Sequence, residues 1–98
     1  MSSWTIYSIS FAGLTGVEYS KIDTTLSSLG DWIRINHFHW FLFTDKDMTA
    51  LRMALRPLLP DGSVVVAVAL RNEAAGGFAP QWVWDWLNDR MRKASGLS

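Results

Sequence analysis

The sequence predicts an α+β fold, one antiparallel sheet with helices packed against it, and three observations predict it. Stretches rich in aromatic and β-branched residues alternate with stretches whose apolar residues recur at helical spacing. Their order is strand, helix, strand, strand, helix, strand, helix. A chain of 98 residues leaves room for one core only.

Residues 4–11 are aromatic and β-branched and read as the first strand, broken by Gly13, Thr15 and Gly16. Residues 18–29 read as a helix, with Val17, Ile22, Leu26 and Leu29 close to helical spacing and Gly30 expected in the C′ position. The stretch 32–44 begins by alternating, with Trp32, Arg34 and Asn36 on one side and Ile33 and Ile35 on the other. It is too long for one strand, so a hairpin is expected near residues 37–39, although no Gly, Pro or Asn-Gly pair marks the turn. Residues 45–59 read as the second helix, with Asp47 as N-cap and Met48, Leu51, Leu55 and Leu58 as its apolar stripe. Pro57 and Pro60 end it and Asp61-Gly62 turns the chain. Residues 63–70 form a strand, residues 72–77 a loop with a Gly76-Gly77 step, and Pro80 opens a last helix running to about residue 94. A single domain thus covers residues 1–94, with 95–98 as a loose tail. Two right-handed crossovers put both internal helices on one sheet face. The result is a ferredoxin-like βαββαβ sandwich with an added C-terminal helix.

Composition narrows the function classes. Lys plus Arg equals Asp plus Glu, nine each, so the basic excess of a dedicated nucleic-acid binder is missing and self-association is favoured. There is no cysteine, hence no disulfide framework and no thiolate nucleophile or ligand. The N-terminus lacks the charged and apolar regions of a signal peptide, and the run 64–70 is too short to span a bilayer, so a cytoplasmic protein without membrane partners is expected.

The apolar fraction of 49% includes six tryptophans, which is a large supply for a small core. Helices on one face leave the other face of the sheet bare, yet the strands are apolar on both sides. Val64, Val66, Val68 and Leu70 alternate with Val65, Ala67 and Ala69, and Trp4 and Ile6 alternate with Tyr7, Ile9 and Phe11. The last helix or a partner subunit must cover that face. In the last helix Val83, Trp84, Leu87 and Met91 make one stripe, and Trp82 with Trp86 a second one. A homodimer is therefore expected, with Trp82, Trp86, Phe11 and Tyr7 at its interface.

Few residues suggest chemistry. His37 and His39 would share one side of an extended segment and could hold a metal or act as acid and base, but no third ligand is fixed by spacing. No metal ligand set is assigned. Asp45 and Asp47 pair by spacing, and their place before a helix reads as capping. Arg52 and Arg56, four apart, could grip a phosphate or lie on a solvated helix face. Together with Arg34 they are the candidate nucleic-acid contacts. Arg90, Arg92 and Lys93 suit a helix C-terminus. Ser8 and Ser10 share one side of the first strand with no base identified near them, and Gly13 and Gly16 make no phosphate-loop pattern.

The succession Tyr7-Ser8-Ile9-Ser10-Phe11, Tyr19-Ser20-Lys21-Ile22, Leu29-Gly30-Asp31-Trp32, Trp40-Phe41-Leu42, Leu55-Arg56-Pro57-Leu58-Leu59 and Trp84-Asp85-Trp86-Leu87 resembles the SinR-like branch of the small CRISPR-associated adaptation nucleases. That superfamily also holds VapD-like ribonucleases, and the likeness runs from residue 4 to about 90. The resemblance implies a ferredoxin-like homodimer in a nucleic-acid or defence setting. It also implies a metal-binding Asp at the end of the first strand. Counted back from Tyr19, that place falls on Phe11, or on Ser10 with a one-residue shift, and no acidic residue lies anywhere in residues 4–16. A phenyl ring offers no ligand atom and a lone hydroxyl is a weak ligand for Mg²⁺ or Mn²⁺. The expectation is a degenerate, non-catalytic homodimer without cofactor, acting as an interaction or scaffold protein. The alternatives are a Mg²⁺- or Mn²⁺-dependent nuclease with a relocated site drawn from His37, His39, Asp31 or Asp45, and a dimer that senses a small molecule.

Overall fold

The computed structural model describes residues 4–14, 18–70 and 79–94. The loop expected at 72–77, the tail 95–98 and Val17 lie outside the described residues. The elements are β1 (Thr5–Ala12), α1 (Tyr19–Leu29), β2 (Gly30–Asn36), β3 (His39–Thr44), α2 (Met48–Leu55) with a 3₁₀ turn (Arg56–Leu58), β4 (Val64–Leu70) and α3 (Gln81–Ala94). They form an α+β domain with one four-stranded sheet ordered β2-β3-β1-β4, every neighbouring pair antiparallel. Strands β1 and β2 are therefore parallel with β3 between them, and β3 and β4 are parallel with β1 between them. Each pair is joined through a helix.

The expected hairpin lies at His37–Phe38, and the chain gets round without glycine by shifting register between Arg34 and Asn36. The Asn36 side chain accepts from the Phe38 amide at 2.8 Å, and the Phe38 carbonyl accepts from the Phe11 amide at 2.8 Å. An Asx-type bond thus does the work of a glycine turn. Asp47 caps α2 by accepting from the Ala50 amide at 2.9 Å. Gly30 departs from expectation: it follows α1 directly but in extended backbone, not in a left-handed cap, and it begins β2. Glycine is needed for space, because a Cβ there would lie 2.1 Å from the Phe43 carbonyl oxygen.

The sheet separates two cores. On one face Tyr7, Ile9 and Phe11 of β1 and Trp40 and Leu42 of β3 pack under Ile22 and Leu26 of α1 and Leu51 and Leu55 of α2. On the other face Val83, Trp86 and Leu87 of α3 pack on Ile6, with Ile33, Ile35, Phe41, Phe43 and Leu70 around them. The last helix therefore supplies part of the cover that the doubly apolar strands require. Thr44 ties the layers at one end: its buried hydroxyl donates to the Leu29 carbonyl at 2.7 Å and accepts from the Lys46 amide at 3.1 Å.

This packing corrects the expected interface. Tyr7 and Phe11 are buried in the core under α1 and α2, because β1 is a central strand and odd-numbered positions face the helices. Trp86 is buried too. Steps of three and four from Val83 reach both Trp86 and Leu87, so the second tryptophan stripe merges into the seam and Trp84 is only partly buried beside it. Of the four, Trp82 alone stands exposed.

Candidate functional site

Helix α3 does not cover its whole sheet face. Cross-strand register sets up rows on that face: Asp31, Phe43, Ile6, Leu70; then Ile33, Phe41, Ser8, Val68; then His39, Ser10, Val66; then Ala12 and Val64. Helix α3 packs on Ile6, Ile33, Phe41, Phe43 and Leu70. The corner beyond is open, with Val64, Val66 and Val68 at 55%, 54% and 53% exposure and Ser10 and Ala12 exposed beside them. Among the described residues the corner holds no Asp, Glu, Lys or Arg. Its described residues form an uncharged patch on the edge strand β4 and the adjoining half of β1.

At its border with the part that α3 covers, Ser8 and His39 meet. Ser8 Oγ and His39 Nε2 are 2.7 Å apart, and the imidazole lies against Phe41 with ring centroids at 5.0 Å. Burial pushes the His39 pKa below its ordinary value. The base that sequence reasoning could not find for Ser8 thus comes from β3. The signal lay in the antiparallel register that sets Ser10 opposite His39 and Ser8 one step along, which needs the strand pairing to be known. A hydrogen-bonded hydroxyl and imidazole is the start of a nucleophile. Catalysis further needs a group that orients the base and free donors for an oxyanion. Among the described residues no carboxylate reaches His39, and the neighbouring backbone of β1 and β3 is engaged in the sheet ladder. The pair reads as an internally satisfied polar contact.

His37 does not join His39. It occupies the hairpin turn and stacks near Tyr19, at 5.8 Å between centroids, on the α1 side of the sheet, whereas His39 faces the α3 side. The turn breaks the alternation that would have put both rings on one face, so the expected shared site is corrected. Among the described residues no group of three or more His, Asp or Glu converges to hold a metal ion.

The candidate arginines divide. Arg34 lies over the rings of Tyr19 and Trp40, at 5.6 and 5.9 Å, and reaches Asp23 at 3.7 Å. Asp23 also accepts from the Trp40 indole at 2.8 Å, so Arg34 belongs to a structural cluster at the rim of the core. Arg52 and Arg56 are exposed and have no ion pair among the described residues. With Thr49, Met53, Leu59 and Val65 they line an open groove of about 460 Å³ between α2 and β4. Phe11, at the place where the resemblance puts a metal-binding Asp, is buried edge-on against Trp40 with centroids 5.0 Å apart. Ser10 is exposed in the open corner.

No helix of the described residues is long and apolar enough to cross a membrane. Comparison with protein-family models, with curated proteins and with solved structures finds no match.

Proposed function

We propose that the chain is a non-catalytic interaction module, a degenerate relative of the small CRISPR-associated adaptation nucleases, that works as a homodimer through the open corner of its sheet. The carrying observation is the uncharged patch of Val64, Val66, Val68, Ser10 and Ala12 left beside α3. A twofold interface sets a patch against itself, so the patch must not repel its own copy. A patch with no charged side chain among its described residues, whose histidine burial shifts towards the neutral form, meets that condition.

The ferredoxin-like reading is supported by the strand order, which written from the other edge is β4-β1-β3-β2, and by α1 and α2 sharing one face. The non-catalytic reading is supported by Phe11: a buried phenyl ring stands where the resemblance puts a metal-binding carboxylate, and admitting an unpaired charge there would cost roughly several kcal/mol. The proposed role is to hold partners in a defence or nucleic-acid-handling assembly from the cytoplasm. The test is an assay on labelled single- and double-stranded DNA and RNA with Mg²⁺, Mn²⁺ or chelator, alongside light scattering. The reading expects intact nucleic acid and a dimer mass. Metal-dependent cleavage that His39→Ala abolishes would replace it with the relocated-nuclease alternative.

A further inference from the structure

We propose that the outer edge of β4 accepts an extended segment of a partner protein as a fifth strand, and that this segment alternates acidic and apolar residues. Three observations combine. First, β4 is an edge strand, and among the described residues no strand pairs with its outer side, so every second residue offers an unpaired backbone N–H and C=O. Second, its sequence, Val-Val-Val-Ala-Val-Ala-Leu, carries none of the charges, prolines or glycines with which exposed edges are usually blunted. Third, the two faces beside that edge differ in chemistry. One continues the open valine row Val64, Val66, Val68. The other opens into the groove where Arg52 and Arg56 stand exposed, with no ion pair among the described residues.

An added strand alternates its side chains in step with β4. Residues beside Val64, Val66 and Val68 would extend the apolar row. Residues beside Val65 and Ala67 would enter the arginine groove, where a carboxylate gains a charge-assisted bond to a guanidinium. The occupant's pattern follows: apolar residues two apart, with Asp or Glu between them. A second copy fits this edge poorly, since β4 paired with β4 would bring two more arginines to the same side, and no acid among the described residues lines the groove to meet them. Nucleic acid offers phosphates but no amide ladder for the strand edge. The inference is independent of the proposed dimer, which uses the face of β4 and not its edge.

The probe is a fluorescent ten-residue peptide alternating Val and Glu, titrated with the full chain by anisotropy at about 0.1 M salt. A Val–Lys peptide and a ten-nucleotide single-stranded DNA serve as comparisons. Saturable binding with a Kd below about 1 mM is expected, at least tenfold weaker for R52A/R56A and largely kept by R52K/R56K. Amide exchange at Val64–Leu70 should slow on binding. No saturation by about 1 mM, equal binding of the Lys peptide, tighter binding of the oligonucleotide, indifference to R52A/R56A, or unchanged exchange in β4 would each overturn the inference. Peptide binding by a chain that scatters as a monomer leaves the inference standing and removes the dimer.

Discussion

Ser8 of β1 and His39 of β3 share a 2.7 Å hydrogen bond at the border between the part of the sheet that α3 covers and the part it leaves open. Burial disfavours the charged imidazole, so the folded pKa of His39 lies below the unfolded value of about 6.5. Between the two values the unfolded chain binds more protons, and stability falls as pH drops through that interval. His39→Gln should flatten the fall. Urea midpoints between pH 7 and pH 4.5 check this. A wild type whose midpoint rises on acidification, or a variant with the same pH profile, would contradict the assignment.

Asp23 holds two groups at once, the Trp40 indole at 2.8 Å and Arg34 at 3.7 Å. Trp40 is fully buried, so Asp23→Ala leaves its N–H without a partner. The expected loss is about 1–3 kcal/mol. Asp23→Asn keeps an acceptor and should cost less, because the exposed pairing with Arg34 contributes little. Chemical denaturation of the two variants gives the ordering.

Much of the fold was readable in the sequence. Periodicity separates the strands from the helices, Asp47 marks the start of α2, and the length of the stretch 32–44 demands a hairpin. What escaped is what depends on neighbours distant in sequence. Tyr7 and Phe11 belong to the core because β1 is central, which no local pattern states. Trp86 belongs to the seam of α3 because the helix is rotated a little from the stripe of Trp84 and Met91. Ser8 finds His39 only through strand register, and His37 parts from it because the turn resets the alternation. Arg34 and Arg56 look alike along the chain, but among the described residues only Arg34 has an acid and two aromatic rings beside it.

Gly30 tests the register at the α1–β2 corner. A Cβ there would meet the Phe43 carbonyl oxygen at 2.1 Å, and that oxygen belongs to backbone and cannot swing aside. Gly30→Ala should destabilise the chain by about 2 kcal/mol or more, although its extended dihedrals suit alanine. A thermal melt unchanged by the substitution would mean that β2 and β3 are set further apart.

Arg90 fastens α3 to the sheet. Its guanidinium lies 4.9 Å over the Trp86 ring, and it pairs with Asp31 at the start of β2 and with Asp89. Arg90→Ala should cost about 1–2 kcal/mol from stacking and pairing together, and it should raise exchange in α3 ahead of the other helices. Arg90→Lys keeps charge but loses the planar stack, so it should recover only part of the loss. Equal protection of α3 in all three proteins would place the hold of α3 in its apolar seam alone.

The central claim is that the open corner of the sheet is a self-complementary surface. The direct measurement is light scattering across a concentration series for the wild type and for Val66→Glu, at a residue that is 54% exposed and so can change without disturbing the core. The account predicts the mass of two chains for the wild type and of one chain for Val66→Glu, with the variant still folded by circular dichroism. A wild type that stays at the mass of one chain at high concentration, or a dimer that Val66→Glu leaves intact, would contradict it.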